Sequence, residues 1–199
     1  MNYQQSYTVA AANLTGFASN VTGAAFTLTA TTPNDVLAHQ VTVRNDSVTD
    51  HSGKTVALVG TDANGEAITE TLTGPTGSAT VTSAKYFKTL ASATPSATIG
   101  ADTFDIGWAA AAHSPWVVLE TSRLPFAVSV AVDIGGTINY DVQHTYDPTP
   151  TEDSVAWNHS TLAAKTADAY DGYTLPVAAV RVDVNSHTSG TFTVAVLQG

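Results

Sequence analysis

One β-hairpin signal constrains the fold of this chain more than any other feature. The sequence TVALVGTDANGEAITETLTG, which begins at Thr55, places alternating strand residues on both sides of Asp62, Ala63, Asn64 and Gly65. Asn and Gly accept the positive φ angles of short hairpin loops, and Val, Ile, Thr and Leu suit a pleated, half-buried surface. One face of the second strand carries Ile68, Glu70 and Leu72, and the other carries Thr69, Thr71 and Thr73. The sequence therefore predicts a strand-turn-strand unit with no catalytic residue.

Similar strand signals recur along the chain and predict an all-β fold. Before residue 110, two strands are predicted within residues 7–32. Further strands are predicted at 41–43, 55–60, 66–73, 79–82, 86–90, 97–99 and 103–108. Beyond it they are predicted at 116–120, 126–134, 138–146, 178–184 and 191–197. Turns are predicted at Gly135-Gly136 and at residues 185–190. Residues 160–169 are the only plausible helix, so less than about a tenth of the chain is expected to be helical.

A break in the pattern near the middle of the chain predicts two domains. Residues 109–112 are all Ala and are followed by His113, Ser114 and Pro115. Proline removes a ladder donor and restricts the residue before it to extended geometry. We therefore expect two antiparallel β-sandwich or jelly-roll-like domains, residues 1–112 and 113–199. In the second domain, strict alternation predicts a core face formed by Val180, Val182, Val184, Phe192, Val194 and Val196.

Charge and composition limit the partners. Only 12% of residues are charged, against about 25% in an average soluble domain, which is typical of extracellular or particle-bound β proteins whose surfaces cover one another. With seven Lys and Arg residues and a net charge of −10, the chain is not expected to bind nucleic acid. No apolar run reaches the ~20 residues of a membrane span, so no membrane partner is expected. The absence of Cys excludes disulfides and thiolate chemistry.

Tests for chemistry favour a protein without a catalytic, cofactor or metal site. No His pair has the helical i, i+4 spacing of a metal site, and neither a Gly-x-Ser-x-Gly elbow nor a phosphate-binding Gly loop occurs. Convergence of His144, Asp147, Asp153 and His159 in space stays open. A glycosidase could use two distant carboxylates from the set Asp133, Asp141, Glu152 and Asp153.

The connecting segment, residues 147–173, is the place where an interaction surface is expected. Long loops without regular structure in compact domains tend to be functional or to form contacts, although a plain crossover between sheets explains the same length. Aromatic side chains in and beside this segment could form a stacking platform for polysaccharide, or could be core and interface anchors: Tyr140, Tyr146, Trp157, Tyr170 and Tyr173.

Four stretches that together span most of the chain carry a resemblance to a known class of proteins. They are GTDANGEAITETLTGP, KYFKTL, TIGADTFDIGW and LPVAAVRVDVNSHTSGTFTVAVLQG. In these stretches the chain resembles the β-rich virion structural proteins of tailed bacteriophages, in particular capsid decoration (cement) and other minor head proteins. The resemblance is one of composition and topology, and no catalytic residue comes with it.

The resemblance implies a homotrimer that binds the lattice of the major capsid protein on the outer head surface of the virion, after assembly in the host cytoplasm. Contacts between subunits are expected from residues 1–17 or from the connecting segment. The alternatives are a tail or head-tail joining protein, or a carbohydrate-recognising adhesin or receptor-binding module. A hydrolase is a more distant third class.

Overall fold

The computed structural model describes residues 1–199 and contains β-strands but no helix. All strand pairs are antiparallel and form two sheets, of ten and three strands. The strands are β1 (Asn2–Thr8), β2 (Asn13–Val21), β3 (Ala38–Asn45), β4 (Thr55–Thr61), β5 (Ala67–Thr73), β6 (Thr80–Phe87), β7 (Thr89–Pro95), β8 (Phe104–His113), β9 (Val117–Val118), β10 (Val128–Thr145), β11 (Trp157–Asn158), β12 (Ala169–Tyr173) and β13 (Ala179–Gln198). The predicted all-β, antiparallel fold class is confirmed, and no helix is long and apolar enough to cross a membrane.

The chain forms two compact units, which do not follow sequence order. One unit contains Met1–Ala11 and Ala110–Gly199, and the other contains Ala12–Ala109. Strand β1 belongs with the C-terminal strands because all seven of its residues pair with β13. The chain divides between Ala109 and Ala110, close to the boundary expected at His113. Independent folding of residues 1–112 and 113–199 stays a prediction.

The unit formed by Ala12–Ala109 has two sheets with buried faces, as a sandwich requires. One sheet has the order β5-β4-β7, and the other contains β2, β3, β6 and the first part of β8. The predicted hairpin is confirmed between β4 and β5: the Asp62 amide donates to the Glu66 carbonyl at 2.9 Å, and Gly65 has a φ of 92°. Ile68 and Leu72 are buried, and Thr69, Thr71 and Thr73 are exposed, so the predicted faces are confirmed as well.

The unit formed by Met1–Ala11 and Ala110–Gly199 is built on the ladder between β10 and β13. All 18 residues of β10 pair with β13, from Val128 opposite Gln198 to Thr145 opposite Ala179. Strand β13 has 20 residues, and its two extra positions, Asn185 and Thr188, have no partner in the register. The first bulge moves the following side chains of β13 to the opposite face of the sheet. The second bulge returns the later side chains to the original face. The six predicted core residues of β13 are therefore buried on one face, which confirms that prediction.

Two predicted turns are wrong, because the ladder runs through them. Gly135-Gly136 lies inside β10, and residues 185–190 lie inside β13. Gly136 has a φ of 147° and faces Gly190, which has a φ of 114°. A Cβ at Gly190 would lie 2.1 Å from the Gly135 carbonyl oxygen. These glycines permit a close approach of two strands, although pairs of adjacent glycines are typical of turns.

Three further predictions from the pattern are also wrong. The Ala-rich break at 109–112 is strand, because Pro115 lies beyond the end of β8 and removes no donor from it. Residues 97–99 form no strand. Residues 160–169 form no helix, because the Asp141 carboxylate accepts a hydrogen bond from the Ala164 amide and Lys165 bridges to Tyr140. Ala164 itself has a φ of 52°, which no α-helix contains.

We predict that Val182→Asp abolishes folding. Val182 is 1% exposed on β13, opposite Val142, so the carboxylate would be buried without a partner, at a cost of more than about 4 kcal/mol. The matched control is Val59→Asp, because Val59 on β4 is 41% exposed. Circular dichroism during urea titration measures both variants. Equal unfolding midpoints for Val182→Asp and the unsubstituted chain would contradict the assignment of the core face.

We also predict that Gly190→Ala destabilises the protein by about 3 kcal/mol, because an L-residue is strained at this φ and its Cβ meets the opposite backbone. Gly53→Ala is the control, since a Cβ there meets nothing within 4 Å and Gly53 does not have a positive φ. Thermal unfolding of both variants is the measurement. A Gly190→Ala variant as stable as Gly53→Ala would show that the two strands do not approach closely at this point.

Candidate functional site

The connecting segment extends the outer edge of β10, where it is held by backbone hydrogen bonds. The Val142 amide donates to Leu162 and its carbonyl accepts from the His159 amide, at 2.9 and 2.8 Å. Tyr140 and Lys165 exchange two further backbone hydrogen bonds. Leu162, within the segment, is buried. The segment is therefore a structured addition to the sheet, and it contributes residues to two groups of side chains that could act as a site.

The first group is a buried charged network centred on Arg181. Its guanidinium donates to the Glu152 carboxylate at 3.0 Å and to the Gln143 side-chain oxygen at 2.8 Å. The ring of Trp116 lies 4.4 Å from the guanidinium carbon. His113 joins the network through Glu152, at 3.1 Å. Because Glu152 belongs to the connecting segment, this network ties the segment to β13.

Asp141 and Asp183 lie opposite each other in the β10/β13 ladder, and each carboxylate has a donor of its own. Gln143 donates to Asp183 at 2.8 Å, and Asn158 donates to Asp141 at 2.9 Å. His113 also lies 3.4 Å from the Asp183 carboxylate. Two like charges facing each other across a ladder are unfavourable unless such partners compensate them. Asp141 and Glu152 thus each accept hydrogen bonds from donors within the chain, from Asn158 and from Arg181 respectively.

The second group is an aromatic cluster on the solvent side of the segment. Trp157 lies opposite His144 in the β10/β11 pair, with ring centroids 6.2 Å apart. Tyr146 packs edge-to-face against both rings, at 5.4 Å from Trp157 and 5.6 Å from His144. Tyr173 lies 5.3 Å from His144 and 4.7 Å from His159. Edge-to-face contacts at these distances fix the orientation of the rings.

A surface cavity of about 330 Å³ adjoins this cluster. Its walls include His144, Tyr146, Asn158, Tyr173 and Leu175. Burial, together with the nearby His159, lowers the pKa of His144, so its imidazole is neutral at pH 7. Burial also raises the pKa of the Tyr173 hydroxyl, which stays protonated. The cavity thus presents aromatic faces and neutral polar groups.

The structure brings together only part of the residues singled out in the sequence. Tyr146, Trp157 and Tyr173 gather in the cluster. Tyr140 is fully buried and donates to the Ala167 carbonyl, and Tyr170 is 85% exposed away from the cavity. Of the four residues considered for convergence, His144 and His159 both contact Tyr173, whereas Asp147 accepts hydrogen bonds from Thr149 and Ser154. No group of three His, Asp or Glu side chains is arranged to hold a metal ion.

Sequence reasoning missed the Arg181 network and the part that His144 has in the cluster. Arg181 alternates with Val180 and Val182, which is typical of a charge that faces solvent. It is buried because the connecting segment covers it with Glu152. The alternation of β13 could not predict that another segment covers Arg181. The acidic pair Glu152-Asp153 in a long loop was the only feature of the sequence that pointed to a partner for a buried cation.

Known proteins show little similarity to this chain. No protein-family model and no curated protein matches it. Among solved structures, the crystal structure of the major capsid protein P2 from bacteriophage PM2 aligns with 98% of this chain and 97% of that one, with a TM-score of 0.24 and 8% sequence identity. A likeness at this level carries no argument about function.

We predict that Arg181→Met destabilises the protein by about 3–5 kcal/mol, because it leaves the buried Glu152 carboxylate without its cation. Limited proteolysis should then cut within residues 147–156 sooner than in the unsubstituted chain. Arg123→Met is the control, since Arg123 is exposed and makes one long hydrogen bond, of 3.4 Å, to Gln198. Equal stability and equal cleavage for the two variants would show that the network does not hold the segment.

Proposed function

We propose that this chain is a structural protein of a tailed bacteriophage, a decoration or cement protein that binds the outer surface of the head as a homotrimer. The observation that carries the proposal is the free edge of β1. This strand pairs with β13 along one edge, and the other edge has no strand partner within the chain. Self-association and lattice binding through strand addition both need such an edge.

Strand β1 lacks the features that normally protect an edge. Natural edge strands carry charges, especially Lys, or Pro, or are very short, and these features prevent pairing with other chains. The sequence of β1, NYQQSYT, contains neither charge nor proline and is seven residues long. Asn2, Gln4, Ser6 and Thr8 are exposed on one face of it. An unprotected, polar edge of this kind is suited to strand addition by a neighbouring subunit.

The composition of the surface supports the same role. Charged residues make up only 12% of the chain, and several large apolar side chains are exposed: Val48, Leu124, Val155, Leu175 and Leu197. Exposed apolar side chains and a low charge density are typical of surfaces that neighbouring subunits cover. On a repeating lattice, each contact makes the next one effectively intramolecular, so weak contacts add up to tight binding. A net charge of −10 disfavours contact with packaged DNA and thus favours the outside of the head.

Four stretches of the sequence resemble phage decoration and minor head proteins. This resemblance supports two parts of the proposal, which are the trimeric state and the lattice of the major capsid protein as the partner. The sequence predicts contacts between subunits from residues 1–17 or from the connecting segment. Strand β1 keeps that role in the proposal, but Phe17 does not: it is buried against Trp108, at 5.1 Å between ring centroids. Deletion of residues 1–17 would therefore remove a core aromatic as well as the edge, and a substitution in β1 is the sharper test.

We expect the full-length chain to be a trimer of about three times 20.5 kDa by light scattering, and Gln4→Lys to shift it toward the monomer. A Lys on the exposed face of β1 opposes addition of a strand. Thr71→Lys is the control, because Thr71 is also exposed on an edge strand, β5, and should leave the trimer intact.

Cryo-electron microscopy of purified particles that contain this chain tests the location. The proposal predicts copies at repeated positions on the outer head. Copies confined to the tail or to the head-tail joint would contradict the decoration role but would still agree with a structural role in the virion. A monomeric chain that occupies no repeated position on virions would refute the proposal.

A further inference from the structure

We propose that the cavity beside Tyr146 is a binding site for a neutral saccharide. The site lies within one compact unit, between the ends of β10, β11 and β12. This inference does not rest on the proposed role in a phage particle, because it depends only on the rings, the polar groups, the charge and the volume of the cavity.

The aromatic wall is already oriented for stacking. Tyr146 is 59% exposed, yet its ring is fixed by edge contacts with Trp157 and His144. Tyr173 also lines the cavity and is buried. The C–H face of a pyranose ring packs on such aromatic faces through dispersion and through the negative charge of the ring face. Because the rings are fixed before binding, little side-chain entropy is lost on binding.

The polar groups at the cavity match sugar hydroxyls in kind. Ser160 and Thr174 line the cavity, and neither hydroxyl makes a hydrogen bond within the chain. The Tyr173 hydroxyl and His144 Nδ1 are 3.4 Å apart, a long contact that a ligand hydroxyl could replace. Asn158 lines the cavity as well. Hydroxyls and a neutral imidazole can both donate and accept, as a sugar requires.

The charge of the site selects a neutral ligand. None of the lining residues is Lys, Arg, Asp or Glu. An acidic sugar, such as a sialic acid or a sulfated sugar, would find no fixed cation there and would approach a chain with a net charge of −10. Both the local composition and the overall charge therefore disfavour an anionic glycan.

The volume of the cavity selects a small ligand. At about 330 Å³ it lies at the lower end of the range of small-molecule sites. A protein segment that docked here would need a longer groove. A terminal sugar of a glycan fits the volume, with the rest of the glycan extending into solvent.

Fluorescence of the full-length chain tests the proposal, because Trp157 reports on the site. It is 46% exposed, whereas Trp108 and Trp116 are buried, so acrylamide quenches mainly Trp157. The probes are cellobiose, maltose, lactose and N,N′-diacetylchitobiose, with sialyllactose as the anionic comparison. We expect at least one neutral disaccharide to change the emission in a saturable way, and sialyllactose to bind more weakly than lactose.

Three variants connect the signal to the cavity. Tyr146→Ala should lower affinity about tenfold, because it removes the exposed stacking ring, and Tyr146→Phe should retain most of the affinity. Tyr170→Ala is the matched control: the same substitution at an exposed tyrosine that does not line the cavity should leave binding unchanged. Thermal unfolding of each variant verifies that the fold is intact.

Several results would overturn the inference. One is the absence of saturable binding for all four neutral disaccharides, and another is binding of sialyllactose as tight as that of lactose. Equal losses of affinity for Tyr146→Ala and Tyr170→Ala would place the binding elsewhere. If Trp157 is already protected from acrylamide in the unliganded protein, and becomes accessible on dilution to the monomer, the cluster is a contact between subunits instead.

Discussion

The antiparallel ladder between β10 and β13 is the interaction on which the rest of this structure depends. Each residue of β10 has a partner in β13, and most other strands of that unit attach to one of the two. Strands β1 and β9 add to β13, whereas β11 and β12 add to β10. The free edge of β1 and the aromatic cluster at β11 are therefore both held in position by the same ladder. A shift of its register by one residue would move the valine face of β13 out of the core and Arg181 into it.

Local patterns predicted the parts of the fold that local chemistry determines. The hairpin at Asp62–Gly65 needs one glycine with a positive φ and a carboxylate that accepts from nearby amides, and both lie within five residues. The alternation of Val180 to Val184 and of Phe192 to Val196 predicted the core face correctly, because the two bulges between them cancel. The same reasoning failed at Gly135-Gly136, where glycine permits the close approach of a strand that lies about fifty residues further along the chain. The local sequence pattern cannot predict pairing with a strand that is so distant in the chain.

The candidate site was predictable in its elements and not in its arrangement. A long segment with aromatic residues indicated an interaction surface, and three of the five aromatic residues do gather beside one cavity. Which three gather depends on the pairing of Trp157 with His144 and on the backbone hydrogen bonds between Val142 and the segment. Arg181 could not be recognised as buried, because its cover comes from Glu152, which is distant in sequence. The buried network holds the inner side of the segment and leaves its aromatic side toward solvent, so that one segment combines an anchor with the proposed saccharide site.

Amide hydrogen exchange of the full-length chain, followed residue by residue by nuclear magnetic resonance, tests the continuous ladder most directly. If β10 and β13 form one unit, the amides of both halves, 128–134 with 192–197 and 138–145 with 180–184, open together with one free energy and one dependence on denaturant. Two distinct opening free energies, one for each half, would mean that the chain is divided at 135–136 and 185–190 into separate hairpins. That result would contradict a continuous ladder between β10 and β13.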